Sequence, residues 1–448
     1  MGLFVLDWIH RLQEITMTFL TAPMSKSLKT AILVAGLVLL LPGLMIAFAN
    51  LCIMPFVILG SRSESLGIGT VSFVLLMLTL GAGGVVVWHA ARALSGKKSK
   101  PLRLPRVWII AGIFGLMLVV GIVARANDTL AAFVFPPTLL ITAAIPPLFA
   151  VSWFAQPRAD GLTFRRGMVA FAGGATVSVL IALVLEILLP VIVLSLVFNL
   201  SDVAMRSVQN LLTDLAGQQI ARAITNPGFI LAFIQLAIIA PIAEEIAKPL
   251  VTLPLIGRLT RRDAFLVAAM AGAGFAALEN VIYTSFGAYL WAGVLALRAI
   301  GGAIHPLGAG LVGLSWRDIM NGERDAWRQG LARFGLAVGM HALWNGGSLI
   351  VVVLGGAQFA EGGKVPAEVN ILGLSAAGTM LALLIVLGLA ALWLGRATTQ
   401  RAQSASAREP ESLEAEFMLS DRAIAIWAFV CLVAIVPVGV AALRLLLR

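Results

Sequence analysis

Apolar residues fill most of the chain in blocks of about 20, the length at which a helix crosses the hydrocarbon of a bilayer. Polar residues gather between the blocks. The pattern predicts an all-α polytopic membrane protein with about eleven transmembrane helices, at 30–50, 69–92, 107–125, 129–154, 168–196, 228–256, 263–286, 289–314, 331–355, 371–394 and 422–443. Val5, Trp8, Ile9, Leu12, Ile15 and Phe19 recur at helical spacing among polar residues. They mark 1–29 as an amphipathic segment lying on the membrane or on the bundle. Residues 30–165 form a four-helix extension, 166–355 a core, and 356–448 a two-helix extension with a Ser/Ala/Glu-rich, flexible cytoplasmic linker at 396–421.

Composition agrees with this reading: 60% of the 448 residues are hydrophobic and 12% charged, half the charged share of soluble domains, about 25%. The net charge of +10 needs no nucleic acid to explain it. Arg158, Arg165 and Arg166, then Arg258, Arg261 and Arg262, then Arg317, Arg324 and Arg328 fall in alternate loops. All face one side if the N-terminus is cytoplasmic, as the positive-inside bias requires. Cys52 and Cys431 lie in apolar stretches and define no disulfide or zinc framework.

The informative residues are the polar ones inside the oil. The stretch IIAPIAEEIAKPLVTLPL sets Glu244 and Glu245 within the sixth span, with Lys248 one turn on. A charge at a helix centre costs about 2.5–3.5 kcal/mol, so such groups face a partner or a cavity. Lys248 is expected to neutralise one acid and leave the other for chemistry. Glu279 and Asn280 follow on the next span, Arg298 and His305 on the next, and His341 and Asn345 one turn apart on the next. Arg298 is expected to neutralise Glu279, and Asn280 to make either an interhelical hydrogen bond or a substrate contact. Glu186 stands alone on the fifth span. At 1.5 Å rise per residue from the cytoplasmic ends, the two histidines lie about 14–15 Å deep, Glu244 about 18 Å, Asn345 about 21 Å, and Glu279 and Arg298 about 24 Å. Four helices of alternating direction thus place their polar groups in one band.

Carboxylates beside imidazoles and an amide in a buried wet pocket suit amide hydrolysis. A carboxylate activates water as general base, and donors on the opposite wall stabilise the oxyanion. Glu244, His305 and His341 equally suit a catalytic zinc ion. The residues leave both open, with no cofactor as the first reading and zinc as the second.

EExxK at Glu244–Lys248, FxxxEN at Phe275–Asn280, His305, and HxxxN at His341–Asn345, in this order on successive spans, resemble the PrsW family of intramembrane proteases, related to CAAX prenyl endopeptidases and bacteriocin-immunity-type proteases. The resemblance covers about 166–355. It implies Glu244 as the water-activating base supported by Glu245, His341 and Asn345 as oxyanion donors, and His305 positioning the water. Glu279 stands where the CAAX-type pattern has a histidine. The resemblance further implies an endopeptidase in a bacterial inner membrane, acting on a membrane-anchored protein such as an anti-sigma factor by site-1-type cleavage. A non-catalytic scaffold subunit and a proton-coupled transporter are the rival readings; no internal repeat favours the latter.

Overall fold

The computed structural model describes residues 26–48 in part, 82–95, 102–126, 134–156, 162–197, 233–256, 259–286, 291–356 and 371–406, with Leu130 and Ile230. Among these the structure is helical, in the order α1 (Ala82–Leu94), α2 (Val107–Arg125), α3 (Phe135–Phe154), α4 (Phe164–Gly173) and α5 (Val179–Val197), joined by a π-helical turn at Gly174–Ser178. A second π turn, Gln235–Ile239, leads into α6 (Ala240–Leu250) and the short α7 (Leu253–Ile256). Then come α8 (Arg261–Phe286), α9 (Trp291–Ile300), α10 (Ile304–Met320), α11 (Ala326–Gly356) and α12 (Ile371–Ser406).

Among the described residues seven helices are long and apolar enough to cross a membrane, and the chain is an integral membrane protein. The expected span at 228–256 is not one of the seven. It is helical from 233, but Glu244, Glu245 and Lys248 put three charges in it. The span at 422–443, the linker from 407 on and residues 1–25 lie outside the described residues, as do parts of the spans at 30–50 and 69–92.

The linker expected from 396 departs from the sequence reading, because α12 continues as helix to Ser406. Packing holds that extra length: the Thr399 hydroxyl donates to Phe154 O at 2.8 Å, and the Arg396 guanidinium stacks over Trp153. An ordered ladder that a Ser/Ala-rich sequence only tolerates is fixed here by the end of α3.

α8 is the centre. Of its membrane-length window 83% is buried, against 17% for α2. It packs along α10, α3, α4 and α12, while α10 packs on α11 and α11 on α12. Acyl chains are as apolar as leucine, so helices here associate through close fit and not through escape from water. The small residues of AGAGFAA permit that fit. A Cβ on Gly272 would meet the His305 carbonyl of α10, and one on Gly274 the Phe171 carbonyl of α4. Phe154, Phe265, Leu266, Ile304, Leu307 and Trp344 fill the space between these helices.

Proline breaks in the ladders give the bundle its cross-links. Pro147 lies inside α3 and has no N–H for the Ala143 carbonyl; Asn280 of α8 donates Nδ2 to that carbonyl at 2.8 Å. Before α6, the Ala240 N–H is given to Gln235 O and Pro241 has none to give. The Leu236 carbonyl therefore lacks both of its usual donors, and Asn345 Nδ2 of α11 supplies one at 3.0 Å. Between α9 and α10 the chain turns at Gly301–Ala303, just ahead of His305 and Pro306, where the sequence predicts a distortion.

One end of the bundle collects the arginines. Arg262 reaches Ala155 O, Arg396 reaches Gln156, and Arg317 reaches Leu259 O.

Candidate active site

Five charged side chains on three helix segments would cost roughly 12–18 kcal/mol if each stood unpaired in hydrocarbon. The structure pairs them all with one another. Lys248, fully buried, places Nζ 3.0 Å from Glu244 Oε2 and 2.7 Å from Glu245 Oε1. The expectation that it serves a single acid is thereby corrected. On a helical wheel residue 248 falls about 40° from 244 and about 60° from 245, between the two. Its ammonium also lies 4.7 Å from the centre of the Phe275 ring, a cation–π contact that suits a buried lysine. The last carbonyl of this turn, Lys248 O, takes the Ser178 hydroxyl at 3.1 Å.

Across from α6, Arg298 binds Glu279 Oε2 through one guanidinium nitrogen at 2.5 Å and Asn280 Oδ1 through Nε at 2.6 Å. The Arg298–Glu279 pair is as the sequence predicts. Asn280, holding Arg298 and the Ala143 carbonyl together, resolves as an interhelical link. Tyr283 was missed by the sequence reading. Its ring lies 4.9 Å beneath the Arg298 guanidinium, completing with Phe275 and Glu279 a stripe at spacing four along α8. That spacing was the available signal.

Each histidine is held by its own carboxylate. His305 Nε2 lies 2.9 Å from Glu279 Oε2, and His341 Nδ1 lies 3.0 Å from Glu245 Oε1. An ionised carboxylate only accepts, so each ring carries its proton on the nitrogen facing the acid. Arg298 also comes within 3.4 Å of His305 Nε2, but the shorter contact to Glu279 decides the tautomer, since Arg298 is itself bound to that acid. The free nitrogens, His305 Nδ1 and His341 Nε2, then present lone pairs. Both are buried without a hydrogen-bond partner, and each lies 3.7 Å from Glu244 Oε2. The rings meet edge to face at 4.6 Å, and Phe275 stacks on His305 at 5.9 Å. Glu244 Oε2 likewise has no aligned donor; its contact with Lys248 is an ion pair by distance.

The three atoms lie within 4.8 Å of one another. Donors bound to one tetrahedral zinc ion are about 3.4 Å apart, and the observed 3.7 Å separations come within a few tenths of that. Carboxylate partners on the far nitrogens are what metal-binding histidines ordinarily have. The residues present therefore fit a divalent cation. They equally cradle a water.

Residues 164–360 match the PrsW family intramembrane metalloproteases. No curated protein and no solved structure matches the chain. The PrsW-matching region contains Glu244, Glu245, Lys248, Phe275, Glu279, Asn280, Arg298, His305, His341 and Asn345, and supports intramembrane proteolysis as the activity. Of these, Asn345 stands apart from the ion-paired cluster, bound to the π turn. Glu186, half-buried on α5, has its backbone carbonyl facing Gln235 Nε2 at 3.4 Å.

Sequence reasoning also missed Gly308. A Cβ there would meet the Glu245 carboxylate, 2.8 Å from Cδ and 3.1 Å from Oε1, and nearer still to Oε2. The glycine sits one turn beyond His305 on α10 and forms the floor under Glu245. Its spacing from His305 was visible, but nothing in the sequence distinguished it from the other glycines of IHPLGAG.

Proposed function

We propose that this protein is an intramembrane endopeptidase that cleaves membrane-anchored proteins with a water handled by Glu244, His305 and His341. The observation carrying this reading is the convergence of His305 Nδ1, His341 Nε2 and Glu244 Oε2, each lacking an aligned hydrogen-bond partner, upon one point. Glu244 accepts the proton of the water. Glu245 and Glu279 fix the two imidazoles, and Lys248 and Arg298 fix the two acids. With its proton toward Glu245, His341 offers a lone pair and suits holding the water more than donating to an oxyanion. The second hydrogen of Asn345 Nδ2 is the donor left for that task. A divalent cation held by Glu244, His305 and His341 would supply Lewis-acid activation of the same water. The substrate class that suits this reading is a membrane-tethered regulator, such as an anti-sigma factor cut at a first site. The arginine-rich end of the bundle supports a placement in the bacterial inner membrane with that end, and the N-terminus, in the cytoplasm.

The test is cleavage of a membrane-tethered reporter by the purified full chain in proteoliposomes, compared with Glu244→Gln and the double variant Glu244→Gln, Glu245→Gln. Glu244→Gln, which keeps the Glu245–Lys248 pair, is expected to fold, and both variants are expected to lose cleavage. Turnover retained by the double variant removes the mechanism. A wild type that cuts nothing while Glu244→Gln loses stability supports the scaffold reading instead. Metal analysis of the active protein separates the two forms of the chemistry. A stoichiometric ion lost together with activity on chelation assigns the three residues as ligands.

A further inference from the structure

At the arginine-rich end, away from the candidate active site, a cavity of about 280 Å³ opens between α8, α10, α11 and α12. It is far larger than the about 10–15 Å³ a single water needs. Arg261, Arg333 and Arg401 line it from three different helices, together with Leu311, Leu314, Thr398 and Ala402. Arg261 and Arg333 are held in place from below by Asp318, whose Oδ2 they reach at 2.8 Å and 2.9 Å. Arg317 binds the other oxygen of Asp318 at 3.3 Å and Glu323 at 2.7 Å. The three lining arginines thus stand against the one carboxylate of Asp318, an excess of two positive charges at the cavity. Arg401 forms no ion pair with a described residue.

We propose that this cavity binds the phosphate headgroup of an anionic phospholipid. Two guanidinium groups fixed by a buried aspartate, with a third free, form a preorganised phosphate clamp. The depth is that of a headgroup. Arg261 opens α8, and Leu314 lies six residues, about 9 Å, from the end of α10. The leucines offer apolar wall to the glycerol. A soluble phosphate would use the guanidinium groups alone and leave this apolar surface without a partner. Basic pockets between membrane helices take anionic headgroups for these reasons.

The experiment measures lipid binding to the delipidated full chain in neutral detergent by native mass spectrometry, with phosphatidylglycerol, phosphatidylcholine and inorganic phosphate as separate probes. Wild type is expected to bind phosphatidylglycerol in preference to phosphatidylcholine. Arg401→Gln, at an exposed helix end, is expected to weaken that binding about fivefold, and Thr398→Leu, which narrows the cavity without a charge change, to weaken it as well. Arg324→Gln removes a surface charge that is 97% exposed and should leave affinity unchanged. Equal binding of the two lipids overturns the proposal. So does equal weakening by Arg324→Gln and Arg401→Gln, which means surface charge alone. Inorganic phosphate competing fully with the lipid also overturns it, in favour of a soluble anion.

Discussion

Replacing Gly308 by alanine adds one methyl group and no charge, at a position where space is the whole issue. The new Cβ would sit 2.8 Å from the Glu245 Cδ and 3.1 Å from Oε1, with Oε2 closer. Ordinarily a carboxylate swings aside from such a contact. This one is fully buried and held by Lys248 at 2.7 Å and His341 at 3.0 Å, so relief requires it to move on the order of an ångström and to draw His341 with it. A misplacement of about 1 Å costs about 100-fold in rate. Loss of one charge-assisted hydrogen bond costs about 1.5–3 kcal/mol of stability. Gly308→Ala is therefore expected to cleave a tethered reporter about 100-fold more slowly, with a modest fall in melting temperature. Shortening the acid in the same molecule, Gly308→Ala with Glu245→Asp, should recover part of the rate by withdrawing the carboxylate from the methyl. Wild-type turnover in Gly308→Ala would refute the claim that Glu245 positions His341. A loss of rate that Glu245→Asp deepens would refute the claim that the contact is steric.

Two further substitutions probe the supports of the site. Lys248→Met leaves two buried acids without their shared cation and is expected to cost about 3–5 kcal/mol of stability and all measurable turnover; unchanged thermal unfolding would show that the pairing is not what holds α6 in place. Asn345→Ala leaves the Leu236 carbonyl unpaired, at about 1–3 kcal/mol, and is expected to slow cleavage. Adding Pro241→Ala restores an N–H within one turn of that carbonyl, so melting temperature should recover while turnover stays low. Recovery of both would assign Asn345 a structural role alone.

The band of polar residues was legible in the sequence because a membrane makes unpaired charge expensive, so each of Glu244, Glu279, Arg298, His305 and His341 announces a partner. Which partner was legible only where helical geometry is local. Arg298 and Glu279 follow from charge alone. Lys248 between both acids follows from wheel angles that a pairwise count of spacing passes over. An interhelical hydrogen bond was one of the two readings open for Asn280, but its acceptor, Ala143 O, was hidden because it lies 137 residues away and is exposed by a proline of α3 that carries no signal of its own. Asn345 and the Leu236 carbonyl are hidden for the same reason, since a π turn leaves no pattern in LAII. The end of α12 was misjudged because Thr399 and Arg396 look like linker residues until Phe154 and Trp153 are beside them.

Charge balance gives the site a direction. Glu244, Glu245 and Glu279 are three acids, and Lys248 and Arg298 are the two cations paired with them. The acid in excess is Glu244, because Glu245 holds the shorter contact to Lys248 and Glu279 has Arg298 to itself. The two lone pairs facing Glu244 Oε2 at 3.7 Å repel that oxygen unless something positive or proton-donating stands between them. A water would do so by donating a hydrogen to the carboxylate and a second to an imidazole, the arrangement that the proposed function needs if Glu244 is to take a proton. A divalent cation held by Glu244, His305 and His341 would do so as well. Either occupant would sit on the face of α6 turned toward α8, α10 and α11. A peptide bond would then be attacked from within the four-helix chamber and not from the lipid side.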